Sequence, residues 1–478
     1  MICHAKFSIR GTLSTKITGW CVAILAGICV ALAYICCTSS SEGHITLRKF
    51  PYPYKAGLAI CSDLDYTDSF DKFIAIQDFL CDTRSTELGP GLGLEIGNTF
   101  WFYNQFAGTD TLAGDAEDLP YSVEGDWFNR GKGISLFDGV TEHLTDYAPG
   151  LLKLIQAGFI DCLHSYGDFA DSGFNRELAR RATQLLGRHG LQIHTFVNHG
   201  DTDNQNNMGE APWFLGDNPD SRFYHADISC DAGIKYLWRG HVTHCLGQGG
   251  RRSIVNSMKA VYEWLTDIRY SAQDYPNDNE LIHPYQLDDG QMIFEFVRYI
   301  NPWGKHSVSH QEYVAHQLGP EQVDRLIENQ GYLIFYTHLG TSCCPPYLSD
   351  STVAALRHIR ARVAGGDLLV ATTTRLLDYH VRRHSVHWHI EPQGNATRIV
   401  IDSLANVVEG SYQPEPNALM GLTFYIPDDR VVELMVQGEP VDIVLNPPDH
   451  TGRKSISIPW IPLEYPRVAI PNGEGNHR

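Results

Sequence analysis

Cysteine is sparse where a scaffold would need it. Five of the twelve (Cys3, Cys21, Cys29, Cys36 and Cys37) lie at the extreme N-terminus, which leaves seven for the long remainder. That excludes a disulfide framework, and the absence of any CxxC pair argues against a zinc ribbon. The odd count leaves at least one thiol unpaired within the chain, and the adjacent Cys343 and Cys344 read as two ordinary thiols rather than a strained vicinal bridge. Basic charge is also short: 37 Lys and Arg stand against 56 Asp and Glu, a net charge of -19, with no Lys/Arg stripe to neutralise a phosphate backbone. Nucleic acid is therefore excluded as an expected partner. No internal repeat and no low-complexity segment is present.

What is there is enough for a folded chain of more than one domain. The 478 residues exceed the roughly 250–300 at which single cores stop growing, and 43% are hydrophobic against 19% charged. From Ile17 to Ser41 no residue is charged, and the run follows a basic leader with Lys6, Arg10 and Lys16. About 20 apolar residues span a bilayer, and positive charge stays inside. Residues 17–37 are thus expected to be a single-pass transmembrane helix, with 1–16 cytoplasmic and everything beyond extracytoplasmic. The alternative is a signal peptide cleaved after Ala31 and Ala33, giving a secreted chain.

After a linker over 38–53, short apolar runs alternate with amphipathic helices across 54–383, which argues a largely parallel sheet covered by helices, a (β/α) barrel in an α/β fold. Strands are expected at Ala56 to Cys61, Phe159 to Leu163, Leu191 to Val197, Tyr332 to Tyr336 and Leu368 to Ala371. Helices are expected over Asn175 to His189, from Pro320 to before Gly331, and from Asp350 as N-cap to Gly365. From 384 to 470 the period becomes two between turn residues, which reads as an all-β, sandwich-like accessory domain, followed by a tail over 471–478. The polar stretches Gly108–Gly133 and Asp201–Ser221 read as insertions over one face.

Four strands run straight into polar clusters: Ser62, Asp63 and Asp65; His164, Ser165 and Asp168; Asn198, His199 and Asp201; Thr337 and His338. In a parallel α/β barrel these ends converge where active sites are built, and carboxylate with imidazole suits a divalent metal and a general base. Singly, each has an ordinary explanation: Asp after a strand caps a helix, and His is hydrogen-bonded in a core. Recurrence at four strand ends is what argues for a site.

These residues resemble the polysaccharide deacetylases of carbohydrate esterase family four. CSDLD, with Asp63 and Asp65, is similar to the paired-Asp motif; HSYGD, from His164 to Asp168, to the two-histidine ligand motif; IFYTH, with His338, to the final strand motif. The match departs in two places, since Leu64 splits the Asp pair and Asp168 replaces the second histidine. The family's arginine-containing motif is not evident, and His199 in VNHGD stands at the equivalent strand end. The resemblance implies a hydrolase that removes acetyl groups from a polysaccharide or oligosaccharide. It assigns Asp63 as general base, His338 as acid, and Asp65, His164 and Asp168 as ligands of a divalent metal, zinc or the harder manganese or magnesium. His199, Asp288 and Asp289 are carried over as substrate-binding or orienting residues. Trp101, Tyr103, Trp127, Tyr166, Trp213 and Trp303 are available for sugar stacking, though most aromatics pack in the core. His241, His244, His387 and His389 read as structural, and Asn395 opens a glycosylation sequon. A glycosidase on a related barrel and a non-catalytic glycan-binding protein are the competing functions.

Overall fold

Along Ala56–Asp63 (β1) the side chains alternate between two apolar layers: Leu58 and Ile60 join one buried cluster, Ala59 and Cys61 another. Period-two alternation with both faces buried is the signature of a parallel strand roofed by helices on one side and facing a barrel interior on the other. The computed structural model describes residues 44–105, 133–169, 173–199, 204–209, 212–251, 253–259, 278–301, 309–393, 396–427 and 431–471. The leader, the expected anchor over 17–37, all of the Gly108–Gly133 insertion but Gly133, Asp201, Trp127, Trp303, Asn395 and nearly all of the tail lie outside them. Among the described residues no helix is long and apolar enough to cross a membrane.

Ten further strands share the sheet with β1: Gly97–Phe100 (β2), Cys162–His164 (β3), Thr195–Val197 (β4), Tyr236–Trp238 (β5), Val242–Thr243 (β6), Ile282–Gln286 (β7), Met292–Phe296 (β8), Arg298–Tyr299 (β9), Tyr332–Thr337 (β10) and Leu368–Val370 (β11). The order is β6-β9-β10-β1-β2-β3-β4-β5-β8-β7, with β11 also paired to β1. Every pair is parallel except the β7–β8 hairpin. Because β5 leads into β6 across Arg239–His241 and β8 into β9 across Val297, two segments found at one end of the order return at the other, and the sheet curls into a half-barrel.

Helices Phe70–Cys81 (α1), Ala148–Gln156 (α2), Arg176–Arg188 (α3), Pro320–Asn329 (α4) and Asp350–Ala364 (α5) accompany the sheet, and their buried residues belong largely to its outer cluster. Asn175, expected as the first helical residue, is instead the cap of α3 and accepts from the Glu177 and Leu178 amides. The cap of α5 is Ser349, not Asp350; its side chain accepts from the Thr352 amide, and Asp350 sits in the first turn, where a carboxylate favours the helix dipole.

Helix Thr373–Ser385 (α6) lies against the N-terminal ends of the strands. The Thr374 amide donates to Asp161 Oδ2, just ahead of β3, at 2.7 Å; its hydroxyl meets Thr195 Oγ1, the start of β4, at 2.7 Å; Tyr236, the start of β5, donates to Asp378 Oδ1 at 2.8 Å. Leu376, Leu377 and Tyr379 extend the inner cluster downward into the C-terminal β region. That end is filled, so the opposite, C-terminal ends of the strands carry the polar groups.

The region beyond α6 forms two small sheets. One contains Val386–Gln393, Ala396–Asn406 and Val431–Val436, and the other Thr423–Tyr425, Val444–Asn446 and Ser455–Ser457. They share the inner cluster, with Trp388 edge-on to Phe424 at 5.0 Å. Strand Thr46–Leu47, from the segment read as linker, pairs with Thr423–Tyr425, and α6 enters Val386 with no residue between. The β region is therefore welded to the barrel by chain from both sides.

Burial raises the Asp161 carboxyl to about 6, against hydrogen bonds from Thr374 that favour its anion. A carboxyl with a raised folded value binds its proton more tightly in the folded state, so stability falls as pH rises from about 4 to about 6. Asp161→Asn should remove that loss. Its melting temperature relative to the parent should climb across this window, by an amount equivalent to on the order of 2–3 kcal/mol, and stay level above it. A difference that is flat between pH 4 and 7 contradicts this.

Candidate functional site

Asp63 ends β1 and Asp65 stands in the turn that follows, with Leu64 buried in the outer apolar layer. Residues i and i+2 of a strand share a face, so the interposed leucine anchors the turn outward while both carboxylates are released toward the interior side. Asp63 accepts from Thr99 Oγ1 at 3.0 Å on one oxygen and from Arg298 Nη1 at 3.2 Å on the other. Arg298 is fully buried, its guanidinium over the rings of Trp238 (4.4 Å) and Tyr336 (5.1 Å).

Asp65 makes the second centre. Its Oδ1 lies 3.3 Å from His338 Nε2 and its Oδ2 3.8 Å from His199 Nε2, while His199 Nδ1 lies 4.0 Å from Asp168 Oδ1. Burial alone would raise the Asp65 carboxyl, but the surrounding imidazoles of His338, His164 and His199 outweigh it and hold it well below the usual range. Burial lowers His164 to about 4, so at neutral pH it is an uncharged imidazole with Nδ1 3.2 Å from Thr99 Oγ1. Thr99 thus touches both Asp63 and His164. Trp101 stands edge-on to His199 at 5.4 Å, His164 and His199 are 5.0 Å apart, and Tyr66 flanks His338 at 4.4 Å.

Backbone constraints explain the spacing of HSYGD. Gly167 passes so close to Tyr103 that a Cβ would come within 2.1 Å of its carbonyl oxygen, and this approach lets Asp168 pair with Asn104. Ser165 is left-handed, with φ 51°, and its hydroxyl accepts the His199 amide at 3.0 Å. Asn207 bonds both Ser165 and the backbone of His199, bracing the ends of β3 and β4 from a buried loop.

The structure therefore brings Asp63, Asp65, His164, Asp168, His199 and His338 to one end of the sheet. His199 stands between the carboxylates of Asp65 and Asp168. Asp288 and Asp289 are elsewhere: they lie in the hairpin turn that joins β7 to β8, where Asp288 N donates to Asp217 and Asp289 accepts from Tyr224 at 2.9 Å. His241 pairs with Glu295 and His244 with the Ile300 carbonyl, and His389 lies on the accessory sheet with Asp402 and Glu391. Arg298 is the residue missed. Its signal was a lone cation in FEFVRYI, in register with the inward Phe294 and Phe296.

No protein-family model, no curated protein and no solved structure matches the chain. Among the described residues no group of three or more His, Cys, Asp and Glu is set as a metal-holding cluster. The donor chemistry nevertheless suits a divalent ion: carboxylate oxygens of Asp65 and Asp168 beside imidazole nitrogens of His164 and His199. A liganding histidine ordinarily has its other ring nitrogen tied to a polar neighbour, as Thr99 ties His164 Nδ1.

Proposed function

We propose that this cluster is the active site of a hydrolase of the polysaccharide deacetylase type, removing N- or O-acetyl groups from a glycan outside the cytoplasm, with the chain tethered through residues 17–37. The observation that carries the reading is the separation of the two carboxylates: Asp63 is held by Arg298 and Thr99, and Asp65 by His338 and His199. One is thereby a base with a fixed counter-ion, the other a centre for positive charge. Zinc, or manganese or magnesium, bound among Asp65, His164, His199 and Asp168 supplies Lewis-acid chemistry.

The chain's own groups do the rest. Asp63 takes the proton of the attacking water, and Arg298 keeps it aimed. His338, oriented through Nε2 by Asp65 Oδ1, delivers a proton to the departing amine or alkoxide. Buried Trp101 and half-buried Tyr66 lie against His199 and His338 and limit water there. The test is acetate release from N-acetylated and O-acetylated oligosaccharides together with metal analysis of the purified protein. Chelator-sensitive release that is lost with the metal in His164→Ala supports the reading. New reducing ends without acetate would favour the glycosidase, and saccharide binding with neither product the glycan-binding protein.

A further inference from the structure

Ten residues, from His338 to Tyr347, carry the chain from the candidate site to the surface and hold two adjacent exposed cysteines. Cys343 and Cys344 have their sulfurs 2.9 Å apart, much closer than the 4.0 Å of the buried pair Cys61 and Cys162. The loop around them is anchored at both ends. Lys72 Nζ donates to the Gly340 carbonyl at 3.1 Å, Thr341 Oγ1 to the His338 carbonyl at 3.1 Å, and the Tyr347 amide to the Cys344 carbonyl at 3.1 Å. Ser342 Oγ also donates to the Cys344 carbonyl at 3.2 Å. Two thiols are thus presented together, to solvent, on a backbone held at each side of them.

We propose that Cys343 and Cys344 form a reversible thiol–disulfide site on the loop that follows His338, oxidised by a small-molecule disulfide. The thiolate of one cysteine attacks the S–S bond of the oxidant, forming a mixed disulfide and releasing one thiol. The neighbouring cysteine then attacks the protein sulfur of that mixed disulfide and releases the second. Two S–H bonds are lost and one S–S bond is formed; the two electrons and both protons leave on the oxidant, now two thiols. Adjacent Cα atoms are about 3.8 Å apart, below the ~4.4–6.8 Å of ordinary disulfides. A bridge there is strained and exposed, the combination that makes a disulfide easily reduced rather than structural. It therefore closes in an oxidising compartment and opens where thiols abound. Ring closure takes freedom from the loop that leaves His338, although the thiol chemistry itself does not depend on the hydrolase reading.

Tryptic cleavage at Arg325 and Arg357 isolates both cysteines, and no other, in one peptide. The full chain, reduced and then incubated with glutathione disulfide, should yield this peptide lighter by two hydrogens, and dithiothreitol should restore it. In Cys343→Ser the same treatment should stop at a glutathione adduct on Cys344. A parent peptide that stays reduced, or keeps stable glutathione on one or both cysteines, overturns the proposal, as does a bridge to another chain or a variant that accumulates no adduct.

Discussion

Asp63→Asn should cut acetate release by about 100- to 10,000-fold, the contribution typical of a general base. The asparagine keeps an oxygen to accept from Thr99 but cannot take a proton from water. The same change strips Arg298 of its counter-ion, so the loss of turnover has to be separated from a loss of folded protein. Rate per folded molecule, with the folded fraction from near-ultraviolet circular dichroism, is the quantity to compare. Asp63→Asn/Arg298→Met serves as the control, because it removes the base and the buried cation together. It should regain stability and no activity; recovery of activity in it would remove Asp63 from the mechanism.

Arg298→Met should have the largest effect on stability of any single change considered. The arginine is wholly enclosed, pairs with Asp63 and lies over Trp238 and Tyr336. Methionine leaves the Asp63 carboxylate buried without its cation, which typically costs about 3–5 kcal/mol. Because the two residues share one interaction, the double variant should be destabilised by less than the sum of the singles, by on the order of 0.5–3 kcal/mol. Additive single and double variants in urea unfolding would mean the pair is not coupled as the geometry requires.

Much of the sheet was legible because its strands carry apolar runs ending in polar clusters, and Ala56, Tyr332 and Leu368 each open a strand as expected. Strand starts were less so: the expected Phe159 and Leu191 precede Cys162–His164 and Thr195–Val197, since apolar residues in the connections extend the run without joining the ladder. Asp288 and Asp289 lie in the β7–β8 turn, of which Asp289-Gly290 is itself a signature in the sequence. Thr46–Leu47 carries no local mark of its partner 377 residues or more away, since its pairing is decided by the packing of the β region on the barrel. Arg298 was invisible for a related reason. A cation inside an apolar strand has meaning only once Asp63 is known to face it. The local spacing of CSDLD and HSYGD, by contrast, has a plain structural reason: Leu64 turns outward, and Asp168 is reached through Gly167, beside His199.

The most direct test of the hydrolytic site is to run the reaction in water enriched in heavy oxygen and to locate the label by mass spectrometry. Attack of water on an acyl carbon, with Asp63 as base, places the heavy oxygen in the released acetate and leaves the sugar unlabelled. Label at the anomeric carbon of a shortened glycan, or glycan that is bound and returned with no label in any product, would contradict the account.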